Sequence, residues 1–236
     1  MTRNVLICLV LCAMSCSQAP PEDGNGGGGG GGGTDRNAAY FTDLAWEAFD
    51  EGDYTTARNR FTSALGKDRH YAPARTGRAW SNIELGFTGL ALSEFEQAVN
   101  GDSIITVNEE TEVADTTVIF GDSTHVPAWY GIAFAAHAQG IGTPSTLEDQ
   151  MVKTIAAGNQ ALVRGGDGYT YDRMSLITSR RLRAVLAAAY FSTRDYEAAL
   201  NQVDVISPTN EINASDVNFV ADLLREIEIL MIGMEQ

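Results

Sequence analysis

Beyond its N-terminal segment the sequence repeats itself, and the first two repeats match at a spacing of 34 positions. Trp46 and Trp80 are 34 positions apart, and several small and apolar residues keep the same separation. The further pairs are Gly52 and Gly86, Ala57 and Ala91, Phe61 and Phe95, Ala64 and Ala98, and Leu65 and Val99. This period is typical of stacked helical hairpins, which cannot bury their apolar faces alone. We therefore predict an all-α solenoid.

Two more units follow the same pattern after insertions. The four patterns begin at Phe41, Arg75, Trp129 and Arg183, at successive intervals of 34, 54 and 54. About twenty residues are therefore inserted after each of the second and third units. In the second unit, Arg75 and Arg78 occupy positions where large apolar residues are expected. The first helix of that unit is predicted to be shifted or partly exposed.

The order of residues within each unit resembles the tetratricopeptide repeat (TPR) family. Phe41, Leu44 and Ala45 lead the first helix (helix A) of unit one, and Ala57 and Phe61 follow on its second helix (helix B). The resemblance implies a solenoid of about four hairpins, with small residues where helices A and B cross closely. Solenoids of this kind usually bind a partner, so it also implies a protein that is not an enzyme.

The first insertion, at about residues 101–124, has a composition unlike that of the repeats. Its β-branched and aromatic residues include Ile104, Ile105, Val118 and Phe120. They predict a short β-hairpin that projects from the solenoid. A last amphipathic helix, from Ser215 to Met231, is predicted to cover the exposed face of the terminal repeat.

The N-terminus has the features of an export signal. Arg3, an apolar run at residues 5–11 and small residues before Cys16 predict a signal peptide at 1–15. This ending resembles a bacterial lipobox, which implies that Cys16 carries a lipid; plain secretion is the alternative. Residues 16–37 include eight consecutive glycines and predict a disordered tether. The solenoid domain then occupies residues 38–236.

Charge and composition narrow the classes of function. Sixteen Lys and Arg against 31 Asp and Glu give a net charge of −15, which argues against nucleic acid as a partner. All three cysteines precede residue 17, so the domain has no disulfide or thiolate site. His70, His125 and His137 are far apart and are predicted to be surface or loop residues. We predict no catalytic residue, no metal and no cofactor.

The resemblance also implies which side chains face the concave groove of the solenoid. In TPR solenoids these are helix A residues five and eight positions after the first signature residue. With Tyr130 added, the candidate groove residues are Trp46, Phe49, Trp80, Ile83, Tyr130, Phe134 and His137. An apolar stripe of this kind would be a contact surface. The alternative is a groove filled by the hairpin insertion or by the C-terminal helix.

Together these features predict a membrane-anchored scaffold of the bacterial cell envelope. It would be an outer-membrane lipoprotein facing the periplasm or the cell surface, with a partner peptide or helix in its groove. The alternative is a TPR lipoprotein that captures a small molecule for a transporter. A closed cavity lined by Trp46, Trp80 and Tyr130 would favour the small molecule, and an open groove would favour a protein partner.

Overall fold

The computed structural model describes residues 37–107, 114–119 and 121–233. Within them lie nine α-helices and two β-hairpins. The helices are α1 (Ala38–Asp50), α2 (Tyr54–Lys67), α3 (Ala72–Glu84), α4 (Thr88–Asn100), α5 (Val126–Gly142), α6 (Leu147–Gly165), α7 (Ser179–Ser192), α8 (Tyr196–Ile206) and α9 (Phe219–Ile232). The strands are β1 (Asp102–Val107), β2 (Ala114–Ile119), β3 (Thr170–Tyr171) and β4 (Met174–Thr178). A 3₁₀ turn, Pro144–Thr146, precedes α6.

The helices form the predicted stack of hairpins. Helix pairs α1–α2, α3–α4, α5–α6 and α7–α8 are the four units, and the second helix of each unit packs on the first helix of the next. Helices α1, α3, α5 and α7 also contact one another in order, so they form a continuous layer. The all-α solenoid with a β-hairpin insertion is therefore confirmed. The predicted signal peptide, Cys16 and residues 16–36 of the tether lie outside the described residues.

Three of the four hairpins share one turn. A residue with a positive φ angle ends the first helix: Gly52 at +80°, Gly86 at +82° and Arg194 at 66°. The amide of the next residue donates to the carbonyl five positions earlier, as in a Schellman motif. These bonds are Asp53 to Ala48 at 2.9 Å, Phe87 to Asn82 at 2.7 Å and Asp195 to Tyr190 at 2.9 Å. The repeat thus extends to the backbone, with arginine replacing glycine in the last unit.

The repeated tryptophan and phenylalanine pack against each other inside each hairpin. The rings of Trp46 and Phe61 meet edge to face with centroids 5.2 Å apart, and those of Trp80 and Phe95 do so at 5.0 Å. All four side chains are buried. The repetition in the sequence therefore reflects one internal contact that both hairpins make, worth about 1 kcal/mol beyond the buried area.

Glycine allows successive hairpins to approach closely. A β carbon on Gly77 of α3 would lie 2.2 Å from the ring of Phe61 on α2. A β carbon on Gly131 of α5 would lie 2.3 Å from the ring of Phe95 on α4. Each phenylalanine therefore packs on bare backbone of the next unit, and this contact sets the distance between neighbouring hairpins.

The first helix of unit two was predicted to be shifted or partly exposed; it is not shifted, and Arg75 and Arg78 on it are partly exposed. Helix α3 begins at Ala72 and α1 begins at Ala38, so their starts keep the register of the repeat. The arginines of α3 are bound by α4: the Arg78 guanidinium donates to the Glu94 carboxylate at 2.7 and 3.1 Å, and Arg75 donates to the side chain of Gln97. Hydrogen-bonded arginines therefore occupy positions where the first and third units have apolar residues.

The inserted and terminal segments complete the fold. Strands β1 and β2 pair antiparallel, with Asp102 opposite Ile119 and Val107 opposite Ala114, as predicted for the first insertion. The second insertion forms the β3–β4 hairpin, which was not predicted from the sequence. Helix α9 starts four residues later than expected and packs on α7 and α8 through Leu223, Ile227 and Met231. Among the described helices, none has the length and apolar character needed to cross a bilayer.

Candidate functional site

The β3–β4 hairpin covers one part of the predicted groove. The ring of Tyr171 meets that of Trp46 edge to face with centroids 6.0 Å apart, and Tyr169 stacks on Tyr130 at 5.0 Å. Burial raises the pKa of Tyr169 to about 12 and also raises the pKa of Tyr171. The second insertion therefore fills the groove at this point; the alternative left open by the sequence was filling by the first insertion or by the C-terminal helix.

The structure divides the seven candidate groove residues into two groups. Trp46, Phe49 and Tyr130 lie among packed aromatic rings: Phe49 is 5.2 Å from Trp46, and Trp46 and Tyr130 are covered as described above. The other four residues line a common cavity; they are Trp80, Ile83, Phe134 and His137. The structure thus brings together the candidates of the second unit with Phe134 and His137 of the third, whereas Tyr130 of the third unit is covered by the β3–β4 hairpin, as Trp46 of the first unit is.

This space, cavity one, has a volume of about 150 Å³ and lies among α3, the start of α4, α5, β4, α7 and α9. Its wall is almost entirely apolar, with four polar residues: Glu84, Thr88, His137 and Arg181. The apolar lining residues beyond the predicted ones are Ala135, Ala138, Met174, Leu176, Ile177, Val185 and Met231. The side chain of Leu176 is 55 % exposed, so the cavity has an apolar edge that reaches solvent.

A second space, cavity two, lies on the other side of His137 and Met231. It has a volume of about 240 Å³ and is enclosed by α5, the 3₁₀ turn, α6, α7 and α9. Phe191 and Ala188, the groove positions of the fourth unit in the TPR register, are part of its wall. The groove residues expected from the sequence therefore line both cavities in succession. Met231, at the end of α9, lies in the wall between the two cavities.

His137 lies in the wall shared by the two cavities. It is 3 % exposed, which corrects the expectation of a surface or loop histidine. Burial lowers the pKa of its imidazole to about 4, so the ring is neutral at pH 7. Its Nδ1 atom finds no hydrogen-bond partner in the described part of the chain. A buried polar atom without a partner costs about 1–3 kcal/mol of stability.

Two other polar groups of cavity one have notable environments. The indole Nε1 of Trp80 is buried and, among the residues that the structure describes, has no acceptor. Glu84, at the C-terminal end of α3, has a pKa raised by burial. The cavity therefore has mainly apolar walls, and its surroundings disfavour the charged form of the Glu84 carboxyl group.

The lining residues outside the repeats were not predicted from the sequence. Met174, Leu176 and Ile177 belong to β4, where the segment from Met174 to Thr178 is rich in apolar and β-branched residues after the glycines near residue 166. That pattern is a strand signal and could have been found. Met231 lies in register with Leu223 and Ile227 on α9, yet nothing in the sequence indicates that this helix reaches α5.

Within residues 37–107, 114–119 and 121–233, no three His, Cys, Asp or Glu side chains are grouped to hold a metal ion. Cavity one offers mainly apolar surface together with a few polar side chains. A general base works best with a pKa near the ambient pH, and the pKa of His137 is well below neutrality. The arrangement is therefore suited to binding.

Comparison with known proteins gives a distant structural similarity. No protein-family model matches the chain, and no curated protein matches it in sequence. Among solved structures, the chain is similar to a thermophilic TPR protein of Thermus thermophilus. The match has a TM-score of 0.44 and 14 % sequence identity, and it covers 80 % of this chain and 98 % of the other.

Proposed function

We propose that this protein is a non-enzymatic interaction scaffold that holds a segment of a partner protein on its concave face. One observation carries the proposal: cavity one opens beside the exposed Leu176 in a wall formed by the first helices of successive hairpins. Rigid stacked helices present such a wall without ordering costs at the moment of binding. The partner would be a peptide or helix that places an apolar side chain in this cavity.

We further propose that the scaffold is attached to the envelope of a bacterium by a lipid on Cys16. The apolar run at residues 5–11 followed by small residues and Cys16 supports export and lipidation. The glycine-rich segment at 16–37 would allow a reach of roughly 25 Å from the membrane. The domain would then face the periplasm from the outer membrane, or lie at the cell surface.

Photo-crosslinking tests the scaffold function. A photoreactive amino acid replaces Leu176, and the matched control carries it at Val163, which is 81 % exposed on α6 and lines neither cavity. In intact cells, position 176 should give a defined protein adduct that is lost when Ile83→Glu is added at the cavity wall. The proposal fails if both positions give the same adducts or if position 176 gives none. For the anchor, Cys16→Ser should move the protein from the membrane fraction to the soluble fraction.

A second candidate function is the capture of a small molecule. It is favoured by the two cavities, whose walls are mostly apolar and carry a few polar side chains. Few convergent polar groups in an apolar pocket are typical of ligand sites. Of the three residues expected to line such a cavity, Trp80 does so, whereas Trp46 and Tyr130 pack against the β3–β4 hairpin.

A further inference from the structure

We propose that the edge of the solenoid at Phe87 and Leu90 is an interaction surface that, together with cavity one, receives an acidic segment of a partner protein. The inference rests on the scaffold function proposed above, and it adds a surface outside the cavity and the chemistry of the partner. Three observations carry it: a departure from the repeat at the start of α4, two half-exposed apolar residues there, and the arginines around them.

The departure concerns the residue that follows the positive-φ position in the shared hairpin turn. In the first and last units this residue is an aspartate that caps the second helix. The Asp53 carboxylate accepts from the Thr56 amide at 2.9 Å, and the Asp195 carboxylate accepts from the Ala198 amide at 3.1 Å. In the second unit it is Phe87, whose side chain makes no capping hydrogen bond. Because such a cap stabilises a helix, the side chain of Phe87 does not serve the local structure as the aspartates do.

Phe87 and Leu90 form an apolar surface at this turn. They are 50 % and 51 % exposed, and they lie three positions apart, on one side of the first turn of α4. Thr88, which follows Phe87, lines cavity one, and the edge of this cavity also carries the exposed Leu176. A large aromatic side chain beside a cavity is typical of the few residues that supply most of the affinity of an interface. The contact surface therefore extends from the cavity to the outer edge of unit two.

The charges around this surface are mainly positive, although the chain has a net charge of −15. The guanidinium carbon of Arg58 lies over the Phe87 ring, 5.9 Å from its centroid. Arg181 lines cavity one, and Arg180 beside it in sequence is exposed. Among the described residues that line this cavity, Glu84 alone is acidic, and burial raises the pKa of its carboxyl group. Carboxylates of a partner would therefore be attracted here, whereas two copies of this acidic chain repel each other overall. The occupant that fits is an acidic segment of another protein with apolar side chains.

Selection from a phage-displayed library of random 16-residue peptides on the folded chain tests the inference. The enriched peptides should carry apolar residues flanked by Asp or Glu, and their affinities are then measured by fluorescence anisotropy. Phe87→Asp introduces the capping residue of the other units. It should raise the unfolding temperature by about 2–4 °C and weaken the peptides about tenfold or more. The control is Val163→Asp, which replaces an exposed apolar residue that lines neither cavity and should leave the affinities unchanged.

The inference is overturned if no peptide is enriched, if the enriched peptides lack carboxylates, or if Phe87→Asp binds them as tightly as the parent does. In the last case, peptides that are lost in Ile83→Glu leave the scaffold function of cavity one standing, and peptides that both variants bind count against both proposals. Sedimentation velocity of the chain alone tests a second copy as the occupant. A dimer that dissociates in Phe87→Asp would overturn the assignment to a different protein.

Discussion

The contact between Gly77 and Phe61 makes a sharp prediction about what sets the spacing of the hairpins. In Gly77→Ala, the added β carbon would lie 2.2, 2.3 and 2.8 Å from three carbons of the Phe61 ring. Unstrained carbon atoms stay about 3.5–4.0 Å apart. Phe61 cannot easily move away, because it is fully buried and its opposite neighbour is Trp46 at 5.2 Å. Helices α2 and α3 would therefore have to separate.

The expected cost follows from this overlap. Overpacking a well-packed core costs about 1–3 kcal/mol, and alanine returns up to about 1 kcal/mol through its higher helix propensity. We expect a net loss of about 1–2 kcal/mol, or about 2–8 °C in the unfolding temperature for a domain of this size. The matched control is Gly66→Ala in α2, where a β carbon meets nothing within 4 Å. That variant should gain about 0.5–1 kcal/mol.

Thermal and denaturant unfolding followed by circular dichroism measure both variants. A double variant, Gly77→Ala with Phe61→Leu, should show a favourable coupling energy above about 0.5 kcal/mol, because the smaller side chain makes room. Gly131→Ala should repeat the loss through Phe95, whose ring would be 2.3 Å from the new carbon. If Gly77→Ala is as stable as Gly66→Ala, close packing on bare backbone does not set the spacing.

Three further predictions concern stability, each measured by denaturant unfolding. The pKa of His137 is about 4 in the folded state against an ordinary 6.5, so keeping this ring neutral contributes on the order of 3 kcal/mol to the free energy of unfolding above pH 6.5. This contribution is lost as the pH falls towards 4, because the unfolded chain then binds a proton that the folded chain does not. His137→Leu should lack this loss, and a variant whose stability changes with pH as in the parent would contradict the assignment. Arg194→Gly should stabilise the chain by about 1 kcal/mol because φ is positive there, whereas Gly52→Ala should destabilise it. Arg78→Ala should cost about 2 kcal/mol by leaving the largely buried Glu94 unpaired; replacing both residues by leucine should cost less, and equal losses would refute the pairing.

The repeat itself could be predicted because it depends on local chemistry. Residues Trp46 and Phe61 occupy the same places in their hairpin as Trp80 and Phe95 do in the next, and a helical period converts that spacing directly into a shared contact. The turn at Gly52 follows from the same logic, since glycine adopts a positive φ without strain. Both features can be predicted because each depends on residues within one hairpin.

The errors arose where distant segments meet. Arg78 occupies a position of α3 where the repeat pattern predicts an apolar residue, and its hydrogen bond to Glu94 on α4 explains why arginine is accommodated there. His137 was expected near the surface, but it is buried in the wall of two cavities that Met231 of α9 also lines. Neither contact leaves a signal in the local pattern, because side chains far apart in sequence determine whether a polar residue is covered.

The non-repetitive segments determine what the concave face can hold. A uniform array would present Trp46, Trp80 and Phe134 as one open stripe, long enough for an extended peptide or a helix. Here Tyr171 covers Trp46, and Met231 of α9 lines both cavities together with His137, so the stripe is divided between two cavities of about 150 and 240 Å³. Affinity at such a site must come from filling a cavity the size of a side chain. The second insertion and the terminal helix therefore contribute the parts of these cavities that a uniform array of repeats would lack, and the proposed partner would have to fit them.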